Sequence, residues 1–181
     1  AFSSKDVNNQ KEYSMELCRK MIDFQKIEGI YFVGIGGIGM SALALYFVKG
    51  GYTVAGYDRS ESTITHSLSE QGCSVSTNDN VNSLPVLFSG CSDKSKVLIV
   101  YSPAIPFRNL ILSYFRDQGY LICKRAEVLG EISIHTDTLA VAGTHGKTTV
   151  STMISHLLKQ SAIDCSAFLG GISKNYGSNL L

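Results

Sequence analysis

Charge is scarce in this 181-residue chain, and what there is nearly cancels. Sixteen Lys and Arg face fifteen Asp and Glu, a net of +1, and charged residues make up 17% of the total. A basic surface for nucleic acid or an anionic membrane is therefore excluded as an organising feature. Proline is limited to Pro85, in a polar, turn-rich stretch, and to Pro103 and Pro106, which break an apolar run. No CxxC spacing occurs among Cys18, Cys73, Cys91, Cys123 and Cys165. Their odd number and scatter argue against a disulfide framework or a zinc site, and predict inert thiols in a reducing cytosol. Low-complexity segments and internal repeats are absent. Residues 1–13 are polar and mixed in charge, unlike a signal peptide. The chain opens on Ala1 rather than Met, which reads as a fragment or a processed product.

The chain is 44% hydrophobic, enough for a sizeable core. One uncharged run, Gly29 to Val48, has the 20 residues of a membrane span. Its order speaks against one: a β-rich Ile30-Tyr31-Phe32-Val33, four glycines within six residues, then a helix-like segment from Met40. A strand, a tight turn and a buried helix explain those glycines better.

From Ile30 the chain alternates strand and helix signals. Strands are predicted at 30–34, Thr53–Tyr57, Ser74–Ser76, Val97–Tyr101, Tyr120–Cys123 and 139–142. Another is expected at Cys165–Leu169, ended by Gly170-Gly171. Helices are predicted at 38–49, Ser62–Gln71, Asn109–Gln118, Ala126–Ile132 and Lys147–Gln160. A short amphipathic helix is expected at Met15–Phe24, and 78–96 reads as polar and turn-rich. Such alternation implies an α/β fold, with a mainly parallel sheet and right-handed crossovers. The polar link 133–138 marks a boundary. The chain then divides into an N-terminal extension (1–27), a Rossmann-like domain (28–135) and the incomplete start of a second α/β domain (136–181).

Two glycine-rich loops carry the chemistry. Gly34-Ile35-Gly36-Gly37-Ile38-Gly39 follows the first strand and opens the first helix. Its glycines permit a tight turn, close backbone approach to a diphosphate and close helix–strand packing, while the helix N-terminus offers unpaired N–H groups. Asp58 ends the next strand, where a carboxylate accepts from a ribose or a base. NAD meets this description by default. The second loop, Gly143-Thr144-His145-Gly146-Lys147-Thr148-Thr149, is centred on a Gly-Lys-Thr P-loop core. Backbone N–H groups cradle phosphates there, the Lys reaches the β/γ oxygens and Thr148 is placed for Mg²⁺. The common pattern GxxxxGK[ST] is not met, because its first glycine falls on Val141. The pair suggests two phosphorylated ligands with chemistry between them.

Together, in this order and spacing, the loops resemble the Mur ligases of peptidoglycan synthesis. The resemblance runs from about Ile30 to Leu181. It is carried by Phe32 to Ser41, Gly56-Tyr57-Asp58, Tyr101 to Ile105, Lys124-Arg125-Ala126-Glu127, Ala142 to Thr149 and Leu169-Gly170-Gly171. It implies a Rossmann-like sheet flanked by helices, followed by the first P-loop βα unit of an ATPase domain. It also implies a cytoplasmic role in cell-wall biogenesis, and hence in cell shape and division. The nearest members join L-alanine to UDP-N-acetylmuramate, using ATP and Mg²⁺ to form an acyl phosphate. On that basis Gly36, Gly37, Ile38 and Gly39 are expected against the UDP diphosphate and Asp58 near the uridine. Ser102 and Arg125 are sugar-nucleotide candidates, although on residue type alone Ser102 is also a turn residue and Arg125 a surface cation at a helix start. Gly143, Thr144, His145, Gly146, Lys147, Thr148 and Thr149 are expected to bind ATP, with Lys147 catalytic and Thr148 on the metal. The family's acidic segment, the rest of its ATPase sheet and its alanine-binding domain are not found within these residues, so the fragment is expected to bind UDP-sugar without catalysing. A tripeptide-recycling ligase of the same family, an NAD-dependent dehydrogenase and a non-catalytic nucleotide-binding module are the alternatives.

Overall fold

The computed structural model describes residues 22–106 and 108–181. The strands are β1 (Gly29–Val33), β2 (Thr53–Tyr57), β3 (Ser74–Ser76), β4 (Val97–Tyr101), β5 (Leu121–Lys124), β6 (Phe168–Ser173) and β7 (Ser178–Leu180). The α-helices are α1 (Ile38–Lys49), α2 (Thr63–Glu70), α3 (Val86–Ser89), α4 (Leu110–Asp117), α5 (Arg125–Ile134) and α6 (Lys147–Gln160). The first five strands form one parallel sheet in the order β3-β2-β1-β4-β5.

Strand alternation sorts the core onto two faces. Ile30 and Phe32 of β1 and Leu98 and Val100 of β4 point to one side, where Leu43 and Phe47 of α1, Leu68 of α2 and Val128 of α5 cover them. Tyr31, Val33, Val97 and Ile99 point to the other, against Phe88 of α3 and Ile111, Leu112 and Phe115 of α4. The stretch 78–96, read as polar and turn-rich, carries α3 and two single 3₁₀ turns. Phe88 is wholly buried there with its ring 5.2 Å from Tyr31. Polar composition hid a single apolar anchor.

The chain order reverses at β1, which has β2 on one side and β4 on the other. In an open parallel sheet the crevice lies at such a switch point, outside the carboxyl ends of the strands. Gly34–Gly39, Asp58, Ser102 and Arg125 follow directly on β1, β2, β4 and β5.

The second unit departs from expectation in two places. Residues 139–142 are not a strand. A β-strand is stabilised by ladder partners, and among the described residues none pairs with this segment, so Leu139 is 73% exposed. Val150, Met153 and Leu157 line an exposed apolar face of α6, likewise without a cover among the described residues. The strand predicted at Cys165–Leu169 instead spans Phe168–Ser173 and runs through the glycine pair. It closes an antiparallel hairpin with β7, turning at Gly177 in the left-handed region. The helix expected at Met15–Phe24 lies mostly outside the described residues, and its described end, 22–24, is not helical. No described helix is long and apolar enough to cross a membrane. Cys123 is disulfide-bonded, against the expectation of five free thiols, whereas Cys73, Cys91 and Cys165 are free. Sequence spacing speaks only to cysteines close along the chain.

Candidate functional site

The first loop is held by backbone and by one carboxylate. Gly34 takes φ +89°, and its N–H and that of Ile35 both donate to the Tyr57 carbonyl, at 2.7 and 3.0 Å. The Gly36 N–H donates to Asp58 Oδ2 at 2.8 Å. Asp58 therefore grips the loop itself, and a Cβ on Gly36 would lie 2.9 Å from that oxygen and 3.0 Å from Thr65 Cγ2. Gly37 precedes α1 without any side-chain cap, and the first intrahelical bond runs from the Ser41 N–H to the Gly37 carbonyl. The N–H groups of Ile38, Gly39 and Met40 thus have no intrahelical acceptor, the arrangement that favours an anion at a helix start.

Arg125 completes this end. It is the first residue of α5, and its guanidinium lies against Gly39, where a Cβ would come within 2.7 Å of Nη1. A cation beside the positive end of a helix dipole is repelled unless an anion lies between them. Glu127 caps the same helix. It accepts the Lys124 N–H at 2.6 Å, capping α5, with Lys124 Nζ 3.7 Å from its other oxygen. The Lys-Arg-Ala-Glu sequence is thereby a capped helix start with Arg125 as its first residue. Ser102 sits beside the loop: a Cβ on Gly34 would be 3.6 Å from Ser102 Cβ and 3.0 Å from Ile105. Its hydroxyl accepts the Ala104 N–H at 3.4 Å, as in the turn reading.

In the second loop Gly143 and Gly146 take φ +149° and +77°, and α6 begins at Lys147 with no side-chain cap. Lys147 Nζ folds back to donate to the carbonyls of Gly143 and Thr144, at 2.5 and 3.1 Å. Thr148 is crossed by β6, so closely that a Cβ on Gly170 would lie 2.8 Å from Thr148 Oγ1. The glycine pair thus serves the P-loop threonine, a role its place in the sequence did not reveal. His145 and Thr149 are exposed on the same loop.

A cavity of about 500 Å³ joins the two loops. Gly39 and Arg125 line it from one side, and Lys147, Thr148 and Gly170 from the other. Asp58 and Ser102 do not line it and lie further along the sheet edge. Around the first loop, burial pushes the phenols of Tyr57 and Tyr101 above their ordinary value, with the neighbouring carboxylates of Asp79 and Glu127 respectively adding to it. Both hydroxyls stay protonated and able to donate at neutral pH.

The sequence model of the Mur ligase family, catalytic domain, matches residues 29–136. The chain belongs to the Mur ligase family. A UDP-N-acetylmuramate–L-alanine ligase of Porphyromonas gingivalis is 56% identical over 152 residues, covering 84% of this chain and 33% of the relative. One from Flavobacterium johnsoniae is 46% identical over 88% of this chain and 35% of the relative. The crystal structure of UDP-N-acetylmuramate–alanine ligase from Thermotoga maritima superposes with a TM-score of 0.74 at 30% identity, over 84% of this chain and 34% of that one. A murein peptide ligase from Psychrobacter arcticus gives 0.68 at 28% identity, over 80% and 29%. This Mur ligase chain spans about a third of the length of the curated relatives it matches. Membership in a ligase family speaks against the dehydrogenase alternative.

Proposed function

We propose that the chain is the UDP-sugar-binding part, with the opening of the ATP-binding part, of a ligase that joins L-alanine to UDP-N-acetylmuramate. Residues 28–135 form the first of these domains and 136–181 the start of the second. The observation that carries this is the shared cavity, with an arginine and a helix start on one wall and the P-loop lysine and threonine on the other.

In this reading the diphosphate lies on the N–H groups of Ile38, Gly39 and Met40, and Arg125 neutralises it from α5. Asp58 fixes the loop through Gly36 and presents its second oxygen towards the uridine, while Ser102 borders the sugar. The acyl end of the sugar then extends across the cavity to the second loop. The P-loop residues 143–149 fit a nucleotide triphosphate: two glycines hold the loop open, and the α6 start is free of any capping side chain. Lys147 turns its ammonium from its own carbonyls to the transferring phosphoryl group and stabilises the charge that develops there. Thr148 contributes one hydroxyl to Mg²⁺. Among the described residues no cluster of three His, Cys, Asp or Glu could hold a metal, so other Mg²⁺ ligands come from ATP, water or the remaining two thirds of the enzyme. Bound Mg-ATP supplies the phosphoryl group that turns the lactyl carboxylate into an acyl phosphate, from which the alanine amine displaces phosphate.

Curated relatives named for L-alanine reach 56% identity, which supports alanine as the amino substrate; the solved alanine ligase and murein peptide ligase, at 30% and 28% identity, do not separate the two. The cytoplasmic placement expected from the cysteines loses that support with the Cys123 disulfide and rests on the ligase reading. Calorimetric titration tests the proposal. The chain is expected to bind UDP-N-acetylmuramate, to ignore NAD and to form no amide with ATP and alanine. Binding of NAD in preference to the UDP-sugar overturns the site assignment, and ATP- and alanine-dependent product overturns the incomplete-enzyme reading.

A further inference from the structure

The β6–β7 hairpin touches both loops at once. On one strand, Gly170 lies against Thr148. On the other, Asn179 is 5% exposed and reaches the first turn of α1. Its Nδ2 donates one hydrogen to the Ile38 carbonyl at 2.6 Å and the other to Ser41 Oγ at 2.8 Å. Ser41, 1% exposed, in turn donates that hydroxyl to the Ile38 carbonyl at 3.0 Å. Flanking contacts are apolar: Leu180 is buried with α1, and the Phe168 ring sits 5.3 Å from Tyr46. Apolar contacts alone tolerate sliding. A buried amide with both hydrogens committed does not, because any slip leaves a polar group unpaired in a dry interface.

We infer that Asn179 is a positioning residue that fixes the diphosphate-binding turn of α1 at a set offset from the P-loop, so that the two ligands meet across the cavity in register. The inference rests on the UDP-sugar reading of the first loop. Ile38 is the residue it grips, and the Ile38 and Gly39 N–H groups belong to the same turn. The hairpin is thus a strut between two phosphate sites.

The test uses the 181-residue chain with N179A, S41A and the double variant. UDP-N-acetylmuramate affinity is read by calorimetry, thermal midpoint by scanning, and amide hydrogen exchange over residues 38–45 by mass spectrometry. Loss of the Asn179 bonds is expected to weaken UDP-sugar binding by about tenfold. S41A, a mild change inside a helix, should weaken it less, and the double variant should bind like N179A because both act through one network. Exchange in residues 38–45 should rise in N179A. A lowered midpoint with wild-type affinity in N179A and S41A overturns the inference, because a merely structural hairpin does that. So do strictly additive effects. A wild-type chain that takes up no UDP-N-acetylmuramate overturns the proposed function instead. Hydrogen exchange then still tests the strut, because unchanged exchange over residues 38–45 in N179A refutes it.

Discussion

Gly39→Ala separates folding from binding at the first loop. Gly39 is the second residue of α1 and does not take a positive φ. Alanine is the better helix former by up to about 1 kcal/mol in a helix interior, and by less in a first turn. Backbone strain therefore predicts no loss of stability. The new methyl would lie 2.7 Å from Arg125 Nη1, 3.0 Å from Cζ and 3.2 Å from Nε. Ordinary contact starts near 3.4 Å, so the guanidinium must withdraw by about 0.7 Å or more, which the end of a flexible side chain does cheaply. That withdrawal moves it away from an anion on the helix start. A charge-assisted hydrogen bond is worth about 1.5–3 kcal/mol, so affinity for UDP-N-acetylmuramate should fall roughly ten- to hundredfold. The thermal midpoint should stay level or rise slightly. Calorimetry on wild type, G39A, R125A and the double variant isolates the cause. If the methyl acts by displacing Arg125, it costs little once Arg125 is gone. An undiminished affinity in G39A refutes the placement of the diphosphate beside Arg125. An equal loss in the R125A background shows that the methyl obstructs the loop itself.

Three further outcomes follow from particular contacts. Gly56→Ala puts a methyl 2.7 Å from the Phe32 carbonyl oxygen and 2.7 Å from Ile35 Cδ1; backbone cannot yield as a side chain does, so urea unfolding should show a loss of about 1–3 kcal/mol, and a neutral result refutes the packing. Asp58→Ala removes the acceptor of the Gly36 N–H, and should both lower stability by about 1 kcal/mol and speed exchange of that amide, which a purely ligand-facing Asp58 would not do. Cys73, whose thiol is pushed up to about 11 by burial, holds roughly a hundredth of the usual thiolate at pH 8, so timed alkylation with mass spectrometry should label it far more slowly than Cys91 or Cys165.

The parallel sheet was legible because its signals are local. Apolar runs such as Val97–Tyr101 are short, bounded by turn residues and buried on both faces, and a strand–glycine–helix order leaves few topologies. The candidate site follows strand ends: motif and position pointed to Gly36 and Asp58, and the family resemblance to Ser102 and Arg125, all of which directly follow strands of the sheet. What the sequence concealed depends on contacts between distant segments. Leu139–Ala142 reads as a strand, yet apolar composition states only that a segment would be stable with ladder partners, and it has none among the described residues. The stop assigned to Gly170-Gly171 followed from glycine's weakness in strands, whereas the close passage of Thr148 is what calls for it. Neither Glu127 nor Asn179 is given a role by the sequence reading. Glu127 caps its own helix through Lys124, whereas Asn179 acts through Ile38 and Ser41, partners far along the chain that no local pattern names.

The glycines on the two sides of the cavity share one physical purpose, and this bears on how the site works. Gly39 leaves room for Arg125, which arrives from α5, and Gly170 leaves room beside Thr148, which arrives on α6. In each case a missing Cβ lets an element from elsewhere press on a helix start that the proposed function places against a phosphate. The Gly-rich loop is therefore more than a surface for close backbone approach to a ligand. It is also where the Rossmann-like sheet and the second unit are fitted together, with Asn179 bonded one residue away at Ile38. A substitution that fills either gap should act first on the distance between the two phosphate sites. For a reaction in which a carboxylate on one ligand must meet a phosphoryl group on the other, that distance governs rate more steeply than either affinity, because misplacement by about 1 Å can cost a hundredfold.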